Sequence, residues 1–260
     1  MRLSRIIGIP AAALLFGACG VDDGPVSNAR PPLATVRFIN AINDEGAVDA
    51  RMVDQTQWSA YALGINFRQS GIWMPTEAGT RKVRVWRATN HIDSLNLIIE
   101  QDVAITAGQN ITLLLTGSAQ AGTARIEVMP ETVPDSVASN IHVRAVNVTG
   151  SPVDVSWVDG STTTGPTSVP ALGSSAFVAR PLGAVTASFA VPGTATAVTA
   201  NSPAGAVQNN GIGATAGHLA SGSALSAWVF PASVAGTRAP AAFTTPGVVW
   251  FVDRVPAPPR

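Results

Sequence analysis

Val36-Arg37-Phe38-Ile39-Asn40-Ala41 is the stretch that decides the fold. Val36, Phe38 and Asn40 alternate with Arg37, Ile39 and Ala41, the period of two that marks a β-strand. The stretch also occurs twice, returning as Val143-Arg144-Ala145-Val146-Asn147-Val148. Its surroundings return with it. Ala47-Val48-Asp49-Ala50 is echoed by Pro152-Val153-Asp154-Val155, and Met52-Val53-Asp54 by Trp157-Val158-Asp159. Ala78-Gly79 ahead of Val83 and Val85 is matched by Leu182-Gly183 ahead of Ala187 and Phe189. Ala107–Leu115 returns as Ser221–Val229, and Val128 to Pro134 as Trp250 to Pro256. Elements repeated in one order predict two tandem domains of similar topology. The offset between paired positions grows from 104 (Ala78 to Leu182) to 122 (Val128 to Trp250), so the second copy carries an insertion, placed within Thr199–Gly217.

Strands are expected at Thr35–Ala41, Ala47–Val53, Thr80–Ala88, Leu95–Ile105, Asn110–Thr116 and Thr123–Met129, with turn residues between them. No window after Cys19 makes a convincing amphipathic helix; Gln55–Leu63 comes nearest and lacks a second apolar turn. The body is therefore read as all-β.

The run Val-Arg-Phe-Ile-Asn-Ala, a polar turn, Ala-Val-Asp, then Ala-Gly before an alternating strand, and finally Ile105-Thr-Ala-Gly-Gln-Asn-Ile-Thr-Leu-Leu-Leu-Thr-Gly117 resembles the bacterial domain-of-unknown-function 4397 family. The likeness is good over 35–130 and diffuse over 141–255, where small residues replace large ones. It implies an exported or lipid-anchored protein built of paired β-sandwiches with immunoglobulin-like or transthyretin-like character. The expected organisation is a first sandwich at 35–137 and a second, diverged one at 138–256. The family carries no established activity, so the resemblance transfers no catalytic residue.

The N-terminus bears on location. Arg2 and Arg5 precede an apolar run, Ile6 to Phe16, which is within signal-peptide length and too short to span a bilayer. It ends in Leu15-Phe16-Gly17-Ala18-Cys19, which resembles the lipobox of bacterial lipoproteins, although Phe16 stands where Leu is usual. By that resemblance residues 1–18 are a signal peptide, Cys19 receives the lipid, and the Gly/Pro/Asp/Asn-rich segment 19–34 is a flexible tether. An ordinary secretory signal with an incidental Cys is the alternative. No Asp directly follows Cys19. By the enteric sorting rule, this gives the outer membrane as the destination, on its periplasmic or surface face.

Composition narrows the function classes. Of 260 residues 46% are hydrophobic and only 12% charged, about half the usual charged share, so charge-driven disorder is excluded. The 16 basic and 16 acidic residues cancel, leaving no electrostatic footprint for nucleic acid. Without residues 1–18 the count becomes 14 against 16, slightly acidic, because Arg2 and Arg5 are lost. A single Cys excludes a disulfide framework and Cys-clustered metal sites.

Motifs for catalysis are missing. His91, His142 and His218 are scattered, and there is no His-Glu-x-x-His, Gly-x-Ser-x-Gly or phosphate loop. Asp44, Glu45, Asp49 and Asp54 cluster in sequence but form no calcium loop, and the repeated Asp49 and Asp154 are read as acceptors for turn amides rather than metal ligands. Asn40 and Asn147 are read as strand-end hydrogen bonders. Trp58, Tyr61 and Trp73 are the candidate ligand contacts; exposed, they stack on sugars or anchor a protein, and buried, they plug the sandwich. Lys82, Arg84 and Trp86 share one face of their strand, read either as a guard on an edge strand or as a cationic stripe for anionic glycans. The expected function is a non-enzymatic envelope lipoprotein, held to membrane lipid through Cys19 and serving as a structural or binding module for a glycan or protein. It requires no cofactor or metal. The alternative is an envelope glycan hydrolase with its site in the inter-domain cleft.

Overall fold

The computed structural model describes residues 31–55, 57–89, 96–135, 139–205 and 217–254. Cys19, the expected signal segment 1–18 and His91 lie outside them. There is no α-helix among the described residues, and eighteen strands form four sheets.

The first repeat supplies β1 (Leu33–Asn40), β2 (Val48–Met52), β3 (Tyr61–Ile65), β4 (Gln69–Ser70), β5 (Met74–Glu77), β6 (Gly79–Arg87), β7 (Leu97–Ile105), β8 (Asn110–Thr116) and β9 (Arg125–Glu131). One sheet runs β3-β2-β6-β7; the other runs β4-β1-β8-β9 with β5 also on β1. The second repeat supplies β10 (Asn140–Asn147), β11 (Val153–Asp159), β12 (Thr162–Val169), β13 (Gly173–Ser174), β14 (Val178–Pro181), β15 (Val185–Ala190), β16 (Val198–Asn201), β17 (Ala224–Phe230) and β18 (Gly247–Arg254). Its sheets, β12-β11-β15-β16 and β13-β10-β17-β18 with β14 on β10, reproduce the first pair strand for strand. Each repeat contains one parallel pairing, β1 with β8 and β10 with β17, amid antiparallel ladders.

The strand period sets what each face buries. Val36 and Phe38 of β1 join Ile111, Leu113 and Leu115 of β8 and, from the facing sheet, Val48, Ala50, Val83 and Val85 in the core of the first sandwich. Ile141, Val143, Val155, Trp157, Phe189 and Leu225 do the same in the second. A third core lies between the repeats, where Ile39, Ala41 and Leu114 meet Val146, Val148, Trp228, Phe230 and Phe251. Strands β1, β8, β10 and β17 are thus covered on both faces, and each large side chain buried there contributes about 1.5–3 kcal/mol.

Connections differ between the copies. Residues 106–109 join β7 to β8, whereas 202–223 join β16 to β17, so the extra length starts after Asn201, within the stretch expected from the sequence. A second enlargement lies at 231–246, opposite 117–124 of the first copy. This longer loop clasps the first repeat. Val234 N–H donates to the Asn43 carbonyl (2.8 Å), Arg68 donates to the Pro231 and Thr245 carbonyls (2.6 Å each), and Arg238 reaches Glu45 (3.3 Å). Burial lowers the Arg68 guanidinium pKa to about 10, and its Cζ lies 4.6 Å from the centroid of the Phe243 ring.

One expectation about the sheets is corrected. Lys82 and Arg84 guard no edge, because β6 lies inside its sheet between β2 and β7. The cations face Glu100 and Asp102 of β7 (Lys82 Nζ to Asp102 3.2 Å; Arg84 Nε to Glu100 2.5 Å), so no unmatched cationic stripe results, and Trp86 is buried.

Candidate functional site

The repeated polar residues are structural. Asn40 Nδ2 donates to the Gly46 and Ile65 carbonyls (3.0 Å each) while its Oδ1 accepts from Ile42 N–H. Asn147 does the same toward Ser151, Val169 and Pro170, and accepts from Thr149. Both fix the turn leaving their strand. Asp49 accepts from Gly64 N–H (2.7 Å) where the β2–β3 ladder shifts register, as a strand Asp that secures a hairpin would; Asp154 is exposed. Asp44 holds the 117–122 turn, accepting from Ser118 Oγ (2.5 Å) and from the Ala119 and Gln120 amides (2.9 Å each). Glu45 takes Arg87 and Arg238, and Asp54 takes Arg81. These four carboxylates thus diverge to separate partners, and no three His, Cys, Asp or Glu converge for a metal among the described residues.

At the seam between the repeats lies a buried cluster that sequence reasoning missed. Arg37 Nη2 bridges Glu131 (3.1 Å) and Asp253 (2.8 Å), and its Nε donates to Thr112 Oγ1 (2.9 Å). Arg144 meets Glu131 and lies 3.7 Å from Asp253, and its Nε donates to Ser226 Oγ (2.7 Å), which donates in turn to Asp253. The members are equivalent by pairing register: Arg37 is opposite Thr112 as Arg144 is opposite Ser226. Trp73 over Arg37 (4.5 Å) is likewise matched by Phe177 over Arg144 (4.7 Å). Burial pulls both guanidinium groups below their ordinary pKa, and the Asp253 carboxylate opposes that shift. The available signal was an Arg at the same place in two strands that are otherwise apolar.

Two carboxylates therefore do converge between the repeats, but each is buried and already holds guanidinium groups. The open grooves along the seam, one lined by Asn43, Ser118, Arg125 and Leu172 and one by Pro130, Arg144, Ser175 and Phe177, contain no carboxylate in their walls. A buried Ser–His contact also occurs: Ser202 Oγ lies 2.9 Å from His218 Nδ1. That same Nδ1 is 2.8 Å from the Ser202 carbonyl oxygen, which can only accept, so Nδ1 bears the proton and cannot serve as a base toward the hydroxyl.

The three aromatic candidates separate. Trp73 is half-buried with its ring on Arg37. Trp58 and Tyr61, 42% and 48% exposed, share one open groove with Arg51, Met52, Val53, Ser59 and Leu63. Met52 N–H donates to Ala60 O (3.0 Å) and Ser59 Oγ to Met52 O (2.7 Å), closing the loop back onto β2. Trp58 has φ +53°, a left-handed conformation that costs an L-residue about 1–2 kcal/mol, and this loop holds it there. Alternation along β3 turns Tyr61 and Leu63 (53% exposed) outward and Ala62 inward, and the register shift at Gly64 (φ +61°) returns Ile65 to the core. Its counterpart β12 presents Thr162, Thr163, Thr164 and Ser168 instead, so the apolar surface belongs to the first repeat alone.

Fold and groove together define a tandem β-sandwich protein with an aromatic surface on the edge strand of its first repeat. The family model described as Domain of unknown function (DUF4397) matches residues 34–156, so this part of the chain is similar to that family, the one its sequence resembles. The match covers the first repeat and runs into β10 and β11 of the second. No curated protein matches the chain. Among solved structures, a leucine-rich repeat protein from Bacteroides thetaiotaomicron VPI-5482 aligns at 12% identity over 65% of this chain and 23% of its own, with a TM-score of 0.17, too low for any structural argument.

Proposed function

We propose that this chain is a non-enzymatic cell-envelope lipoprotein, attached to the outer membrane through Cys19, whose double sandwich is a rigid carrier for the aromatic groove of the first repeat. The observation that carries the reading is the pair Trp58 and Tyr61, held outward at an edge strand by a strained loop, on a body whose other large aromatics are mostly packed inside. Loops and edges on a fixed scaffold are where sandwiches place recognition. The hydrolase alternative is less well supported, because the carboxylates that meet between the repeats are bound to Arg37 and Arg144.

The anchor is tested by intact-mass spectrometry of the protein from the membrane fraction of a bacterial host that processes lipoproteins. The expected species begins at Cys19 with added diacylglycerol and acyl mass. Cys19→Ala is expected to leave the membrane fraction, and an unmodified Cys19 in a membrane-bound protein would contradict the proposal.

A further inference from the structure

We infer that the partner of the aromatic groove is the bilayer itself: Trp58, Tyr61 and Leu63 dock into the lipid interface beside the anchor. This rests on the lipid-anchored reading above and names the partner of that same site.

The chain arrives from Cys19 at Leu33, which pairs with Glu77, and Ala34 pairs with Thr76. The Gln55 amide, with its nitrogen toward acceptors, bridges Thr76 Oγ1 and the Trp58 carbonyl at 3.0 Å each. Trp58 therefore stands at the end of the first sandwich where the chain enters. Only Gly20–Pro32 intervene between Cys19 and Leu33, a span of about 50 Å at full extension. A tether of that reach lets the groove, at the end of the body where the chain enters, meet the headgroups.

Chemistry and charge agree with that placement. Trp and Tyr, each an apolar ring with a polar tip, are favoured at the membrane–water interface. Val53 and Leu63 add aliphatic surface, and Arg51 adds a guanidinium for lipid phosphates. The nearby carboxylates Asp54 and Glu77 are paired with Arg81 (3.8 and 3.3 Å), which mutes their repulsion of anionic lipid. A contact this small is weak in free solution, but a covalent anchor makes docking intramolecular, at an effective concentration in the millimolar range. The diacylglycerol and acyl chains on Cys19 already give stable attachment, so the surface patch sets how the body lies on the bilayer and not whether it stays there.

The test uses the full lipidated chain in phosphatidylethanolamine/phosphatidylglycerol vesicles containing lipids brominated near the headgroup. Trp58 is the most exposed of six Trp residues, so bromine is expected to quench about one-sixth of the emission, and Trp58→Phe to abolish that fraction. Leu63→Ser, an exposed change, is expected to weaken quenching without moving the Tm. Equal quenching of the parent chain and Trp58→Phe, with acylated Cys19 verified by mass, would overturn docking and leave the anchor standing. A Cys19 without acyl mass would overturn both. Protection of Trp58 by a soluble envelope glycan, with no bromine quenching, would reassign the groove to a glycan.

Discussion

Arg37 is fully buried, yet it is charged and shared between two carboxylates, Glu131 and Asp253, one from each repeat. Such a cluster is weak evidence for stability, since desolvation of the charges offsets most of their attraction. Removing one member is another matter, because the remaining charges stay buried without compensation. Arg37→Met is expected to lower unfolding free energy by about 3–5 kcal/mol, read as a drop in the urea midpoint. Replacing Arg37, Arg144, Glu131 and Asp253 together by apolar residues of similar volume is expected to restore much of that loss. If the single and quadruple variants were equally destabilised, the desolvation argument would fail.

The turn between β8 and β9 shows how one side chain fixes an element. Gly117 begins it at φ +90°, and a Cβ there would lie 2.3 Å from the Thr123 carbonyl oxygen, so only glycine closes the turn. Asp44 then grips the turn from the other side. Burial alone would raise its pKa, but the Ser118 hydroxyl and the Gln120 and Ala119 amides outweigh it and hold the carboxyl below its ordinary value. A depressed carboxylate stabilises the fold above the unfolded-state pKa, about 3.9, and loses that contribution as pH falls through the folded value. Asp44→Asn is expected to cost about 2 kcal/mol at pH 7. The gap between the two urea curves is expected to narrow below about pH 4; a gap independent of pH would mean that the charge on Asp44 plays no part.

At the scale of the molecule, the two sandwiches share a third core around Trp228, Phe230 and Phe251 and a loop from the second repeat that grips Arg68 and Glu45 of the first. Their unfolding is therefore expected to be a single cooperative transition, seen alike by calorimetry and far-UV circular dichroism. Trp228→Ala is expected to cost about 3–5 kcal/mol and to split that transition in two. A wild-type profile already in two steps would contradict a common core.

The sequence by itself determined six strands of the first repeat, the duplication and the roles of Asn40, Asn147 and Asp49, because a period of two and hydrogen bonds to nearby turns are local properties. Strands β3, β4 and β5 were not legible, being too short or interrupted to show that period. It also carried the family resemblance. Which surfaces remain exposed depended on what packs against each sheet, and only the tertiary structure decided that. Arg37 reads as an outward residue on an alternating strand until a second sandwich covers that face. Lys82 and Arg84 read as edge guards until β7 pairs beside them. Trp58, Tyr61 and Trp73 are alike in sequence, but Trp73 lies against Arg37 while the first two face solvent. Neighbours distant in the chain set burial, and burial separates a core aromatic from a binding surface.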